Sequence, residues 1–240
     1  MEREETRSGR KRRLLLDLVR IDLGRPADRL LVLLLVADLV LIGVHLLHVY
    51  TPLFADRFYS LLLDRGLGET IRYYKLGLIL LALLGLTWSP RGVPYLGWMI
   101  VIGLILADDL FGVRERYAQR MAAWLDLPAA FGLRAQDFGE LVFVGIYLVA
   151  LVIPVAAAYR FAPAADRRFW WSMVALLSAL FVFGLVFDMA YVMVRDWRPI
   201  LGTLEEGGET IVISLILRLV FATWIAPVAR PVDGGGGARS

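Results

Sequence analysis

Carboxylates and histidines recur at the ends of the apolar segments of this sequence, and together they could bind a cation. Asp108 and Asp109 close one apolar segment, and Glu140 opens the next. His45 and His48 are three residues apart, so on a helix they share a face. Histidine with aspartate and glutamate is a ligand set suited to zinc, manganese, iron or calcium. The predicted ligands are His45, His48, Asp108, Asp109, Glu140, Asp188, Glu206 and Glu209.

A metal held by these side chains could support catalysis. A zinc ion lowers the pKa of a bound water towards about 7 and makes it a nucleophile at neutral pH. Near a membrane surface, such a water could hydrolyse or transfer the headgroup of a lipid-like substrate. We expect Asp109 and Glu140 to be the catalytic carboxylates. Arg72 and Lys75, near the start of the second apolar segment, are the predicted anion-binding groups.

The same carboxylates also have a simpler interpretation as helix-end residues. The helix dipole favours an acid in the first turn by under ~1 kcal/mol, and Glu69 and Glu209 stand at such positions. Ionisable groups within a membrane are costly, however, and every apolar segment carries one near the same predicted face. Carboxylates outnumber the available cations there, so some would need a bound cation, shared protons or water.

Two further charges lie deep inside apolar segments. Asp38 is in the middle of the first and Arg218 is near the middle of the last. Buried membrane charges generally find a partner, so we predict that these two pair and lock their helices together. The alternative is a proton or ion route through the bundle.

The composition places these groups in a membrane protein. Of the 240 residues, 59% are hydrophobic, and the mean hydropathy is +0.66, well above what soluble domains show. The sequence has no cysteine, which excludes disulfides, thiolate metal sites and cysteine nucleophiles. Both histidines lie in one segment, so a haem bridged by histidines of two helices is not expected.

The apolar segments predict an all-α bundle of six transmembrane helices, each close to the ~20 residues that cross a bilayer. Between the third and fourth, residues 112–137 have helical spacing, which fits a helix on the outer leaflet or one packed on the bundle. The predicted domains are a basic tail with an interfacial amphipathic helix (1–28), the six-span domain (29–228) and a disordered tail (229–240). The predicted spans are 29–50, 70–88, 95–111, 138–159, 169–194 and 209–228.

Basic residues predict the orientation. The run Arg10-Lys11-Arg12-Arg13 gives the side that holds both termini an excess of Lys and Arg. The positive-inside rule therefore places both termini in the cytoplasm and the carboxylates at the outer leaflet. Beside a membrane span, such a basic run contacts anionic lipid more often than nucleic acid. Membrane lipids, and alternatively other membrane proteins, are the predicted partners, and no nucleic acid is expected.

Four short motifs resemble those of a group of uncharacterised bacterial six-span membrane proteins. The chain departs from that pattern at Arg114, where the group has a histidine before the glutamate. The resemblance implies a bacterial cytoplasmic membrane and the same acidic positions, and it implies no particular activity. The motifs are Asp64-Arg65-Gly66-Leu67-Gly68-Glu69 with Tyr73 and Lys75; Asp108-Asp109 with Glu115; Gln136-Asp137-Phe138-Gly139-Glu140; and Glu205-Glu206 with Glu209.

Three classes of function remain open on the sequence. The first is a cation-binding pocket at the outer leaflet, with metal-assisted hydrolysis or transfer as its chemistry. The second is a non-catalytic subunit or assembly partner of a membrane complex. The third is a proton- or ion-coupled transporter, although no Gly/Pro-broken spans occur in matching halves of the chain.

Overall fold

The structure is a computed structural model that describes residues 21–54, 56–63, 66–89, 92–130 and 132–226. These residues form helices, turns and one isolated β-bridge. The α-helices are α1 (Pro26–Tyr50), α2 (Leu67–Thr87), α3 (Val93–Phe111), α4 (Val113–Trp124), α5 (Ala135–Phe161), α6 (Arg167–Phe181), α7 (Asp188–Met193) and α8 (Arg198–Ile225). A π-helix, Val182–Phe187, joins α6 to α7, and a 3-10 turn, Arg195–Trp197, precedes α8.

Six of these helical segments are long and apolar enough to cross a membrane. They are α1, α2, α3, α5, the continuous α6–π–α7 segment, and α8 with its preceding turn. The predicted all-α, six-span fold is therefore confirmed, and by length and composition the chain is an integral membrane protein. The predicted interfacial helix falls almost entirely on residues 1–20, and the tail 229–240 also lies outside the described residues.

The last span begins earlier than predicted. The predicted start was residue 209, with Glu205 and Glu206 leading into the span. Instead, α8 begins at Arg198, with Pro199 in its first turn, where proline is well tolerated because the first N–H groups have no intrahelical partner. As a result, Glu205, Glu206 and Glu209 lie within α8, and the helix fixes the directions in which their side chains leave the backbone.

The core lies where α2, α3, α6 and α8 meet. Leu76, Leu83, Ile102, Met173 and Ile216 are fully buried there. By contrast, α1 and α5 expose rows of large aliphatic side chains, which is expected of helices that face hydrocarbon. The core therefore holds the inner helices in fixed relative positions, and these helices carry most of the polar groups described below.

α4 packs on the bundle through α5, which decides between the two predicted arrangements of this helix. Ala118 and Ala122 of α4 are buried, and their backbone lies directly against Gly139 of α5. A sharp corner precedes α4: Gly112 ends α3 with a φ of 56°, in the left-handed region that glycine adopts without strain. The corner turns Arg114 back towards the bundle.

We expect Gly139→Ala to destabilise the protein by about 1–3 kcal/mol, the usual cost of overpacking. An added Cβ would lie 3.1 Å from the backbone nitrogen of Ala122 and even closer to the carbonyl of Ala118, and backbone atoms cannot rotate away. Gly145→Ala on the same helix is the control, because a Cβ there meets nothing within 4 Å. Thermal unfolding in detergent measures both. Equal midpoints for the two variants would contradict this close approach.

Candidate functional site

The polar groups gather at one end of the bundle because successive spans alternate in direction. The end of α1, the start of α2, the end of α3, the start of α5, the end of α7 and the start of α8 all lie at the end opposite to the described chain ends. We call this the distal end. α4 also lies there, between α3 and α5.

Arg72 of α2 is the first of two arginines that organise the distal end. It is 8% exposed, and its Nη1 lies 2.9 Å from a carboxylate oxygen of Glu206 and also bonds Glu209. Asp109 and Glu69 are close enough to interact with it electrostatically. One guanidinium therefore faces carboxylates from α2, α3 and α8.

Arg114 of α4 is the second arginine. Its backbone N–H donates to Asp108 at 2.7 Å, and its Nη1 donates to the carbonyl of Gly184, in the π-helix, at 3.4 Å. Burial by itself lowers the pKa of Arg114, but the surrounding carboxylates outweigh burial and raise the pKa above its ordinary value. The side chain is therefore a permanent cation. Its carboxylate neighbours are Asp188, Asp108, Glu140 and Glu209.

Carboxylates greatly outnumber cations around these two arginines. Glu209 interacts with both arginines, so the two groups of charges form one connected set. Glu205 is part of it through Asp188, Glu206 and Glu209. We call this set the arginine-centred cluster: Arg72, Arg114, Glu69, Asp108, Asp109, Glu140, Asp188, Glu205, Glu206 and Glu209. Among the described residues, two arginines thus face eight acids in this cluster, and Arg134, which is paired with Asp137, is a further electrostatic neighbour of Glu140 and Asp188.

Three buried polar atoms at the cluster have no hydrogen-bond partner in the part of the chain that the structure describes: Arg72 Nε, Arg114 Nε and the Tyr147 hydroxyl. Tyr147 belongs here because Asp108 and Asp109 are its electrostatic neighbours. A buried donor without an acceptor costs about 1–3 kcal/mol, and native structures rarely leave one unmatched. The chemistry of these atoms therefore fits water or a ligand atom among the carboxylates.

Lys75 lies one helical turn deeper than Arg72 and is paired within the chain. It is 3% exposed and bonds Asp38 of α1. Asp38 also accepts a hydrogen bond from Ser214 of α8 at 2.7 Å, and Lys75 Nζ lies 3.4 Å from the carbonyl of Thr210. Lys75 therefore already has an acidic partner within the chain, and its binding of an external anion stays a prediction. Arg72 likewise uses its Nη1 on glutamates of the chain.

The predicted pairing of Asp38 with Arg218 is replaced by two separate ion pairs. Arg218 Nε donates to Asp28 of α1 at 2.6 Å, and the second oxygen of Asp28 accepts the backbone N–H of Asp22 at 2.8 Å. Asp28 and Asp38 are ten residues apart on α1, or about 15 Å along the helix. Lys75 can reach Asp38, whereas Arg218 bonds Asp28, which lies closer to the end of the bundle where the described chain begins and ends.

The two histidines have hydrogen-bond partners in the backbone through their Nδ1 atoms, and their predicted role as metal ligands stays a prediction. His45 is fully buried, and its Nδ1 accepts the backbone N–H of Leu61 at 3.1 Å. His48 Nδ1 contacts the carbonyl of Phe54, which requires the proton on that nitrogen. Both side chains thus hold the segment after α1 against the end of that helix, and His45 Nε2 has no hydrogen-bond partner among the described residues.

Among the described residues, no three His, Asp or Glu side chains are arranged as a metal ion would require. The eight predicted ligands all lie in this part of the chain, so the structure does not bring them together as one set. Asp109 and Glu140, the predicted catalytic pair, are both near Arg114. Glu140 also accepts a hydrogen bond from Gln136 at 3.2 Å.

Sequence reasoning gave too little weight to some residues. Asp28 was overlooked because it precedes the apolar segment, although its spacing from Asp38 could have suggested a shared face. Tyr147 lies seven residues after Glu140, two helical turns along the same face. Asp137 was grouped with Glu140, but Arg134 pairs with it at 2.7 Å and caps α5.

Comparison of the chain with protein-family models, with curated proteins and with solved structures finds no match.

Proposed function

We propose that this integral membrane protein binds a cation, or exchangeable protons, in the arginine-centred cluster at the distal end of its bundle. The observation that carries this proposal is the imbalance of charge: in the described part of the chain, the eight carboxylates of the cluster outnumber its two arginines together with Arg134, which is itself paired with Asp137. Two like charges 4 Å apart repel by about 4 kcal/mol at an effective dielectric constant of ~20. A bound cation or a shared proton relieves that repulsion, whereas an anionic ligand increases it.

The unpartnered donors support a hydrated site. Arg72 Nε, Arg114 Nε and the Tyr147 hydroxyl need acceptors, and water can accept from them while donating to carboxylates. A hydrated monovalent cation or a set of shared protons fits this mixture better than a metal ion held by three fixed ligands. For that reason we propose binding, and not metal-assisted hydrolysis, as the function.

A catalytic metal stays a prediction with a direct test. Elemental analysis of the purified protein would show a stoichiometric zinc, manganese, iron or calcium that is lost on Asp109→Ala or Glu140→Ala. If such a metal is found, the hydrated-cation proposal fails and the enzymatic reading replaces it.

A purely structural role is the second candidate, and the two deep ion pairs favour it. Asp38–Lys75 and Asp28–Arg218 connect α1 to α2 and α8, which is what helix-locking charges would do. The cluster differs from these pairs because its acids exceed its bases. The structural role would be supported if neither added cations nor neutralising substitutions in the cluster changed the stability of the protein.

Glu205→Gln tests the cation proposal. Its electrostatic neighbours are mainly other acids, so removing its charge should raise stability in a cation-free buffer by about 1 kcal/mol or more. Adding a bound cation should stabilise the wild type by about 2.7 kcal/mol at 100 times its dissociation constant. The same cation should stabilise the Glu205→Gln variant less than it stabilises the wild type. Thermal unfolding with sodium, potassium, calcium and magnesium, against choline at equal ionic strength, measures both effects.

Asp196→Asn is the matched control for this experiment. Asp196 is an exposed carboxylate near the same end of the bundle, outside the arginine-centred cluster. Its neutralisation should leave both the midpoint and the cation response unchanged. The proposal fails if wild type, Glu205→Gln and Asp196→Asn respond equally to every cation and to choline.

We further propose that the distal end faces the outside of a bacterial cytoplasmic membrane, with both termini in the cytoplasm. The basic N-terminal run supports this orientation. A reporter that is active only in the cytoplasm, fused to the C-terminus, should be active. A reporter in the segment between α4 and α5 should be silent, and the reverse pattern would invert the assignment.

A further inference from the structure

A groove between α2 and α3 runs down from the arginine-centred cluster. Its volume is about 700 Å³, and apart from tyrosines at one end its walls are apolar. Tyr73 and Leu84, both in the lining, are eleven residues apart on α2, or about 16 Å along the helix. The groove therefore follows the membrane-spanning direction. Its lining includes Tyr73, Gly77, Leu81, Leu84, Met99 and Gly103.

Tyr73, in the lining of the groove, connects its distal end to acidic residues. The Tyr73 hydroxyl bonds the Glu69 carboxylate and lies 3.1 Å from the backbone carbonyl oxygen of Asp109. Glu69 and Asp109 both belong to the arginine-centred cluster. Neither this groove nor a second one, of about 340 Å³ between α3, α5 and α6, has a carboxylate in its lining. The α2–α3 groove differs because its lining residue Tyr73 hydrogen-bonds two members of the cluster.

Two glycines keep the groove open. A Cβ at Gly77 would meet nothing within 4 Å, and one at Gly103 would meet only a methyl group of Leu80, at 3.9 Å. These two positions lie on the facing helices that form the walls. A larger side chain at either position would enter the groove without striking backbone.

We infer that this groove holds the hydrocarbon chain of a membrane lipid whose amine-bearing headgroup lies against Glu69 and Asp109. The inference rests on the proposed function, because it identifies the bound cation as a headgroup that arrives from the bilayer. Charge complementarity selects the occupant: the cluster attracts an ammonium group and repels an anionic headgroup. The apolar walls accept the chain along the same axis as the surrounding lipid.

Lipid retention by groove-filling variants tests the inference. Protein is reconstituted in nanodiscs of equal phosphatidylethanolamine and phosphatidylglycerol, extracted in mild detergent, and its bound lipid is counted by mass spectrometry. Wild type should retain phosphatidylethanolamine preferentially. Gly77→Leu and Gly103→Leu should each lower that retention about ten-fold, which corresponds to ~1.4 kcal/mol of binding.

Gly145→Leu on α5 and Gly43→Leu on α1 are the matched controls. A Cβ at either position meets nothing within 4 Å, and neither residue lines the groove, so both should retain lipid as the wild type does. Equal retention by all five proteins, or retention of phosphatidylglycerol equal to that of phosphatidylethanolamine, overturns the inference. The inference is also overturned if the wild type is a dimer and the Gly77→Leu variant is a monomer, because a second copy of the chain would then occupy the groove.

The cation titration separates failure of this inference from failure of the proposed function. If the groove variants lose lipid and Glu205→Gln loses it too, the groove and the cluster form one site. If lipid retention is unselective while small cations still stabilise the wild type, the groove assignment fails and the cation site stands. If neither lipid nor any cation binds, both fail.

Discussion

Arg72→Met should destabilise the protein by about 3–5 kcal/mol, the usual cost of removing one member of a buried ion pair. Methionine keeps most of the side-chain volume, so the loss is electrostatic. Glu206 and Glu209 would lose the cation that both contact, and two partly buried carboxylates would then face each other. Unfolding in a detergent–lipid mixture, followed by tryptophan fluorescence, measures the change.

Neutralising the partners of Arg72 should recover much of that loss. The triple variant Arg72→Met with Glu206→Gln and Glu209→Gln removes the two carboxylates that Arg72 contacts directly, so its stability should lie closer to the wild type than that of the single variant. Arg195→Met, at an exposed arginine near the same end, is the control and should change stability by under ~0.5 kcal/mol. A single Arg72 variant as stable as this control would show that Arg72 does not balance the cluster.

Lys75→Met should have an effect of similar size for a different reason. It leaves Asp38 as a fully buried carboxylate whose remaining hydrogen-bond donor in the chain is Ser214. In membrane proteins a neutral interhelical hydrogen bond contributes only about 0.6 kcal/mol on average. An orphaned charge costs several times more, about 3–5 kcal/mol when one partner of a buried pair is removed.

A double-mutant cycle separates these two magnitudes. Asp38→Asn with Lys75→Met removes both charges and should be more stable than Lys75→Met alone by at least ~2 kcal/mol. Ser214→Ala, which keeps the ion pair, should cost about 0.6 kcal/mol. If the double variant is as unstable as the single one, the site depends on specific packing and not on charge balance.

The fold followed closely from the sequence because apolar runs of about twenty residues have few alternatives in a membrane. Element ends were less predictable. The predicted start of α8 was too late, since Gly207 and Gly208, which precede residue 209, lie inside the helix. A Cβ at Gly208 would collide with the ring of Phe183, so close packing against the π-helix explains at least this glycine.

The depth of the polar groups could be read from the sequence, whereas their partners could not. Helix length places Asp188 and Glu209 near the same end of the bundle, and both interact with Arg114. Partner choice depends on how each helix rotates about its axis, which the spacing of residues in a single sequence does not determine. Lys75 therefore pairs with Asp38, and Arg218 with Asp28, against expectation. Likewise, the spacing of the two histidines predicts that they share a helix face, but it does not reveal the backbone groups that their Nδ1 atoms contact.

An experimental structure in lipid nanodiscs, with solvent resolved and with and without the most stabilising cation, tests the central claim most directly. We expect the carboxylates of α2, α3, α5, α7 and α8 around Arg72 and Arg114. Density for water should lie within hydrogen-bonding distance of Arg72 Nε and the Tyr147 hydroxyl, and a bound cation should lie among the carboxylates. Carboxylates turned outwards to the aqueous phase, separated from the two arginines, with no such density between them, would contradict the account.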